Sequence, residues 1–361
     1  MDFNSADRLF KAEQIQKLGE TVAGRRYLKL RSLSRGEYLT ALLDRAGFIL
    51  GRPAAKETFR YAFDSTLTDT QIDKFIADRY QEDRIGRKEL ESTLVNELYK
   101  LEVFDWGGLH QNSLEKTIVD NYVKKIAKYD DLEKAIEGEL HSSMRGYVLC
   151  SWYNHWTSIL IEDIFRDHSN VIPALGQVKK IDFFVKGVPF DLKVTSLPEG
   201  YIAVKRKEQN LKPELTLLRG LARQHHIPFD KEMPNGRLLD DLWKKVSDHP
   251  DKQCAAELRG IKTYRAQLID ELRADPSELI VWLYENQGIR RFDASNRLFL
   301  VIVDTNDYFG SWKLKRALPL LRTNINGYLD GVSKNPGRKI TFDWEGESYS
   351  TLADIVLVTK P

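Results

Sequence analysis

Residues 178–197, VKKIDFFVKGVPFDLKVTSL, decide the fold, because they predict two short β-strands joined by a tight turn. β-Branched and aromatic residues dominate both runs, as is typical of strands. Lys186 and Gly187 lie between the runs, and glycine readily adopts the positive φ of a hairpin turn. Pro189 stands near the start of the second run, where the loss of a backbone N–H is tolerated. The segment is therefore predicted to form a β-hairpin.

Three charged residues interrupt these apolar strands. Asp182 lies in the first strand, and Asp191 and Lys193 lie in the second. Because side chains alternate between the two faces of a strand, Asp191 and Lys193 are expected on one face, roughly 6.5–7 Å apart. The hairpin should also return Asp182 to a position beside Asp191. Leu192 and its apolar neighbours would then face a core.

Two adjacent carboxylates repel each other unless a cation lies between them. Mg²⁺ is commonly held by one or two carboxylates together with water and phosphate oxygens. The pattern therefore predicts a Mg²⁺ site at Asp182 and Asp191, in which Mn²⁺ is expected to substitute. Lys193 would lie where an ammonium group can orient or deprotonate water, or stabilise charge on a phosphate.

This arrangement resembles the PD-(D/E)xK nuclease superfamily, which includes many restriction endonucleases, Holliday-junction resolvases and repair nucleases. The resemblance rests on Asp182 and on the tripeptide DLK at 191–193 in the next strand. Gly176 matches the glycine that often precedes the first motif acid in resolvase-like members. Ile181 stands where the family name has a proline, a position that varies in the family.

In that family the hairpin follows a helix that often carries a further acidic residue. Residues 147–167 predict such a helix, largely apolar, with Glu162 and Asp163 in its second half. The resemblance assigns Glu162 to the metal site, as a third ligand or a neighbour of the ligands, while a partly exposed carboxylate near a helix end is the structural alternative. Gln177 is a further candidate neighbour of the site.

The resemblance implies a Mg²⁺-dependent endonuclease of double-stranded DNA, with a restriction-endonuclease-like fold and a homodimeric assembly. Asp182, Asp191 and Glu162 would be metal ligands, and Lys193 would position or activate water. A type II-like restriction or phage-defence enzyme is the first expectation, and a structure-specific repair or junction-resolving nuclease is the second. A non-catalytic DNA-binding regulatory protein is the alternative from another class. An edge hairpin with an Asp191–Lys193 surface pair is the purely structural alternative.

Composition sets the limits of these expectations. The chain has 361 residues, of which 42% are hydrophobic and 30% charged, as in folded globular proteins of one large or two smaller domains. Its net charge of +2 requires any DNA-binding surface to come from local clusters. Cys150 and Cys254 are far apart and predict neither a disulfide framework nor structural zinc, and His225 and His226 are predicted as a loop pair. The polar start and the lack of long apolar runs predict a cytoplasmic protein without a membrane span.

The expected fold class is α/β (α+β), with a mixed central sheet flanked by helices. Residues 1–145 are predicted to form a helical domain for DNA recognition, and residues 146–361 the nuclease domain with a helical insert at about 211–287. Further helices are predicted at 71–80, 87–101, 113–137 and 310–329, and further strands at 297–304, 338–344 and 353–359.

Basic residues could bring DNA to this site, since phosphate contacts dominate affinity for DNA. Helices at 37–46 and 54–63 suggest a helix-turn-helix, with basic residues at four-residue spacing along its second half; an ordinary helical bundle is the alternative. A second basic group lies near the hairpin, and a solvated lysine-rich face is its alternative. The candidate DNA-binding residues are Arg52, Lys56, Arg60, Lys179, Lys180, Lys205, Arg206 and Lys207.

Overall fold

The computed structural model describes residues 1–33, 37–48, 54–105, 118–178, 180–289, 292–333 and 336–360, without the side chain of Gln177. Within these residues, six strands form one sheet. They are β1 (Val171–Val178), β2 (Ile181–Val185), β3 (Val188–Ser196), β4 (Arg297–Asp304), β5 (Arg338–Trp344) and β6 (Glu347–Lys360). Their order across the sheet is β1-β2-β3-β4-β6-β5.

The sheet combines antiparallel and parallel pairs. Strands β1, β2 and β3 are antiparallel neighbours, β4 is parallel to both β3 and β6, and β5 is antiparallel to β6. The predicted hairpin is confirmed as β2 and β3, and its turn residues Lys186 and Gly187 both have positive φ, 48° and 85°. β3 then exchanges partners, pairing with β2 over 188–190 and with β4 from Asp191 onward. The candidate site lies at this exchange.

The helices before the sheet form the region predicted to be helical. They are α1 (Phe3–Lys11), α2 (Ile15–Gly19), α3 (Val22–Ser32), α4 (Tyr38–Arg45), α5 (Ala55–Asp64) and α6 (Asp69–Leu98). The prediction of separate helices at 71–80 and 87–101 is wrong, because α6 is continuous. Its middle is fixed by Arg84 and Arg87, which form ion pairs with the helix that precedes the sheet. The turn between α4 and α5, residues 49–53, lies outside the described residues.

The prediction of a long helix at 113–137 is also wrong for residues 118–137, which the structure describes. A π-helical turn at Val119–Val123 is followed by a break, where Lys128 has extended backbone (φ −95°, ψ 132°). Val123 and Tyr129 are 59% and 73% exposed, so little burial of apolar surface holds a continuous helix there. The chain then runs through α7 (Tyr129–Ala135) and a π-helical turn (Ile136–Leu140) into α8 (His141–Arg166).

The insert predicted at about 211–287 is helical. It consists of α10 (Glu214–Gln224), α11 (Asn235–Ser247), α12 (Lys252–Ala274) and α13 (Ser277–Glu285), and a helix that was not predicted, α9 (Glu199–Glu208), precedes it. The predicted helix at 310–329 is instead a 3₁₀ segment (Tyr308–Arg316) followed by α14 (Leu318–Gly331). Pro319 explains the division, because proline lacks the N–H that a continuous helix would need and suits the first turn of a new one.

Helices cover both faces of the sheet. α8 and α14 share one core with β2, β3 and β4, in which Phe165 stacks on Phe183 with ring centroids 5.2 Å apart. α9, α12 and α13 cover the opposite face of β4, β5 and β6. The N-terminal helices share a third core with β1 and β2 through Val178, Ile181 and Phe184. The protein is therefore a mixed α/β protein with a six-stranded mixed sheet flanked by helices. In the described part of the chain, no helix combines the length and the apolar character needed to cross a membrane.

Candidate active site

The site lies where β3 leaves β2. The Leu192 N–H donates to Asp182 Oδ2 at 2.7 Å, so a side-chain carboxylate takes the place of a backbone acceptor. The Asp191 N–H donates instead to the carbonyl oxygen of Asn296 at 3.0 Å. Opposite Asp182, the register of β1 shifts between Pro173 and Val178. Irregular pairing on both sides therefore leaves room for a carboxylate inside the sheet.

Asp191 and Lys193 share one face of β3, as strand alternation requires. Lys193 Nζ lies 2.6 Å from Asp191 Oδ1. The Asp191 residue is 7% exposed, whereas the Lys193 side chain is 48% exposed. The carboxylate is thus set into the protein, and the ammonium group faces outward.

Arg297 is a third charged member of this group. It is the register partner of Asp191 on β4, and its Nε lies 3.4 Å from Asp191 Oδ2. The Arg297 guanidinium also pairs with Asp293 at 2.9 Å. Sequence reasoning missed Arg297 because it lies on a distant strand. Only the parallel register places it beside Asp191.

The electrostatics show that Asp182 has an acidic neighbour. Burial raises the pKa of the Asp182 carboxyl, and the nearby Asp191 raises it further. The Leu192 N–H, Lys193 and Arg166 oppose this rise in the pKa, the N–H most strongly. The ionised form of the partly buried Asp182 carboxyl is therefore disfavoured, and a nearby cation would stabilise it.

Glu162 approaches the same region from α8. Its Oε2 lies 2.7 Å from the Arg166 guanidinium, which also donates to the Asp182 carbonyl oxygen at 3.4 Å. Burial raises the pKa of Glu162, and Asp182 contributes to the rise. The adjacent Asp163 contacts α6 instead, so the two acids predicted on this helix have different surroundings.

Two clefts meet at Lys193. The larger, about 850 Å³, is also lined by Lys180, Asp293 and Arg297. The smaller, about 280 Å³, is lined by Glu162, Leu192 and Lys315. The Lys193 side chain is therefore accessible from both.

Sequence reasoning also missed Lys315 as a site residue, although it lies in the segment predicted as a helix at 310–329. Lys315 Nζ donates to Asn154 Oδ1 at 2.9 Å. Burial lowers the pKa of the Lys315 ammonium group to about 8. A lysine with a lowered pKa beside Lys193 adds a second amine to the smaller cleft.

Comparisons with known protein families, curated proteins and solved structures found no match to this chain. The site is therefore interpreted from its own geometry and chemistry.

The Asp182–Asp191 pair offers donors suited to Mg²⁺. Hard divalent cations prefer carboxylate oxygens, and one or two carboxylates are usual for Mg²⁺ in phosphate chemistry. The raised pKa of Asp182 and its coupling to Asp191 fit a site that accepts a cation. Glu162 does not complete a set of three ligands. Within the described ranges, the one group of three candidate ligand atoms mutually within 4.8 Å is formed by His225, His249 and Cys254.

The basic residues predicted near the hairpin have different surroundings. Lys180 lines the larger cleft with Lys193, and its Nζ lies 3.3 Å from Glu13. Lys205 forms ion pairs with Glu208 and Glu278, both at 2.6 Å. Of this group, Lys180 is thus the described residue that the structure brings to the site.

Arg206 is buried. Its guanidinium lies 4.8 Å from the ring centroid of Tyr264, and its Nε donates to the Lys212 carbonyl oxygen at 2.8 Å. Lys207 is exposed, and Lys179 lies outside the described residues. The packing of Arg206 leaves no free guanidinium for a phosphate.

The basic residues of α5 lie on the N-terminal helices. Arg60 donates to Asn4 Oδ1 at 2.6 Å and lies 5.2 Å from the ring centroid of Phe3. Lys56 lines a groove of about 500 Å³ on these helices, and this groove shares Glu13 with the larger cleft at Lys193. Arg52 lies outside the described residues. Arg60 thus contacts α1, and Lys56 lies in a groove that adjoins the larger cleft through Glu13.

Proposed function

We propose that this chain is a metal-dependent endonuclease that hydrolyses phosphodiester bonds of double-stranded DNA. One observation carries the proposal: where β3 leaves β2, Asp182 interacts electrostatically with Asp191 and Lys193, and Lys193 pairs with Asp191 and lines a cleft together with Lys180 and Arg297. Paired carboxylates with an adjacent lysine are the groups that metal-assisted phosphate hydrolysis needs.

Asp182 and Asp191 would hold Mg²⁺, or Mn²⁺ in its place. The bound ion would supply Lewis-acid stabilisation of charge on the phosphate. Glu162 is assigned a supporting role, because it contacts Arg166, which in turn contacts the strand that carries Asp182. Arg297 forms an ion pair with the other oxygen of Asp191 at 3.4 Å and would balance part of the negative charge of the site.

Lys193 acts on the substrate side. Its ammonium group reaches the cleft, and Asp191 holds it 2.6 Å away. From this position the ammonium group can donate a hydrogen bond to a phosphate oxygen or orient the attacking water. Lys180, in the same cleft, would contribute positive charge toward the DNA backbone.

The proposal includes a restriction-endonuclease-like core. Its support is the order of elements: α8 carries Glu162, and the antiparallel strands β1, β2 and β3 follow, with the acids on β2 and β3. A homodimer and a restriction or phage-defence role follow from the resemblance and belong to the proposal. A repair or junction-resolving nuclease is the second candidate, because the resembled superfamily also includes such enzymes.

A plasmid-cleavage assay with Mg²⁺ or Mn²⁺ tests this function. Asp191→Ala and Lys193→Ala should each lower cleavage by about 100-fold or more. Lys313→Ala is the matched control, because Lys313 is a similarly exposed lysine paired with an aspartate at 2.9 Å. Discrete fragments would indicate sequence-specific cleavage, and nicking would direct the assay to junctions and methylated DNA. DNA binding without cleavage of any of these substrates would contradict the enzyme and leave the regulatory alternative.

A further inference from the structure

A second polar cluster lies in the helical insert, away from the hairpin. It contains His225, His249 and Cys254, whose candidate ligand atoms all lie within 4.8 Å of one another. Cys254 is 0% exposed, and the ring centroids of the two histidines are 5.2 Å apart. Three groups that bind transition metals therefore converge in a largely buried place.

Each of these residues lies at the end of a different helix. His225 follows α10, His249 follows α11, and Cys254 lies in the first turn of α12. The same three helices enclose the apolar core of the insert. A group bound between the three residues would join the ends of all three helices.

His225 supplies the most direct indication of a ligand. Its Nε2 is completely buried and has no hydrogen-bond partner. Its Nδ1 lies 3.7 Å from Asp251 Oδ2. Metal-binding histidines commonly present one ring nitrogen to the metal and the other to a carboxylate, which orients the ring. The buried Nε2 is therefore free to bind a cation on the side away from Asp251.

We propose that His225, His249 and Cys254 bind Zn²⁺, with the Asp251 carboxylate close to the His225 ring. Two imidazoles and a thiolate suit Zn²⁺, which tolerates mixed nitrogen and sulfur ligands in a tetrahedral site. Binding would release the Cys254 thiol proton to solvent, because the thiolate is the ligand. Water would fill the fourth position. This site would stabilise the insert and is independent of the carboxylate site, since Mg²⁺ prefers oxygen ligands.

The site revises the expectation from cysteine spacing. Cys150 lies on α8 and takes no part, so a search for paired cysteines finds nothing. The sequence feature that could have predicted this cluster is His249, five positions before Cys254. His225 joins them only through the packing of α10.

Zinc content of the full chain tests the proposal. After incubation with Zn²⁺ and gel filtration, the wild type should retain one zinc ion per chain by elemental analysis. Cys254→Ala and His225→Ala should lose it. Two matched variants should retain it: Cys150→Ala at the other buried cysteine, and His226→Ala at the adjacent exposed histidine.

Cobalt loading of the wild type gives a second readout that does not depend on a variant folding. Sulfur-to-cobalt charge-transfer absorption should appear in the wild type and in Cys150→Ala, and should disappear in Cys254→Ala. Wild-type protein that retains no zinc, or cobalt bound without the sulfur band, would overturn the proposal. Neither outcome bears on DNA cleavage, so the two proposals fail separately.

Discussion

Glu162 and Asp163 are neighbours on α8, yet they belong to two different kinds of acidic cluster. Asp163 faces α6 and accepts two hydrogen bonds from Arg87, both at 3.0 Å. Glu162 faces the hairpin, near Asp182. One helix therefore contributes Asp163 to a network of ion pairs on one side and Glu162, whose pKa is raised, to the candidate site on the other.

In the network, the buried charges have partners of opposite sign. Arg84 is 1% exposed and donates to Asp167 at 3.1 Å, and Tyr80 donates to the same carboxylate at 2.8 Å. The neighbouring carboxylates raise the pKa of Arg84 and Arg87, against the effect of burial. This cluster stabilises the contact between α6 and α8.

At the candidate site, burial and like charges raise the pKa of Asp182 and Glu162. Ionised carboxylates there lower the stability of the folded state at neutral pH. The acids that pair with Arg84 and Arg87 therefore stabilise the contact between two helices, whereas Asp182, whose pKa is raised beside another acid, is a candidate cation ligand. Substitutions in each cluster separate these two roles.

The largest effect on stability is expected from Asp163→Ala. The substitution leaves Arg84 and Arg87 without one of their carboxylate partners. Removing one member of a buried ion pair should lower the free energy of unfolding by about 3–5 kcal/mol. Denaturant titration measures the loss, and Asp270→Ala, at an acid 71% exposed, is the control. An equal loss of unfolding free energy in both variants would show that the ion pairs of Asp163 do not stabilise the fold.

Asp182→Asn should raise the stability of the folded state, the opposite of the effect of Asp163→Ala. The pKa of Asp182 is raised in the folded state, so the ionised carboxylate lowers stability at pH values above that pKa. The protonated carboxyl carries no such penalty. Without metal at neutral pH, the variant should melt about 1–3 °C above the wild type. The gain should vanish as the pH falls below the ordinary value of 3.8. A lower melting temperature at neutral pH would show that the ionised carboxylate stabilises the fold.

Replacing Lys315 should have the smallest effect on stability, and this effect should depend on pH. The pKa of Lys315 is about 8 in the folded protein, against an ordinary 10.5, so the unfolded chain binds more protons between these values. Stability should therefore rise with pH through this window. The melting temperature of the wild type relative to Lys315→Met should increase by about 1–2 °C from pH 8 to 10. A constant difference, like that expected for Lys313→Met, would show that Lys315 is solvated.

The hairpin could be predicted because its signals are local. Strand alternation placed Asp191 and Lys193 on one face, and the turn at Gly187 returned Asp182 to Asp191. These three positions depend on fewer than twenty residues of sequence. No distant element has to be known to place them.

The other parts of the site depend on contacts between distant segments. Arg297 reaches Asp191 through the register of parallel strands, and Lys315 reaches the smaller cleft because Pro319 divides the predicted helix. The resemblance separated Glu162 from Asp163, but the ion pairs of Asp163 with α6 could not be predicted, because they depend on the packing of a distant helix. Arg206 was predicted to face DNA, but its side chain is packed on Tyr264.

Binding of a divalent cation by Asp182 and Asp191 can be measured without a DNA substrate. The measurement is the change in melting temperature on adding Mg²⁺ to the wild type and to Asp182→Asn, with Asp307→Asn, at a half-exposed carboxylate away from the site, as the control. Mg²⁺ should raise the melting temperature of the wild type and of Asp307→Asn, because ligand binding stabilises the folded state. Asp182→Asn should show no such rise. An equal rise in all three proteins, or none in the wild type, would contradict cation binding by this pair.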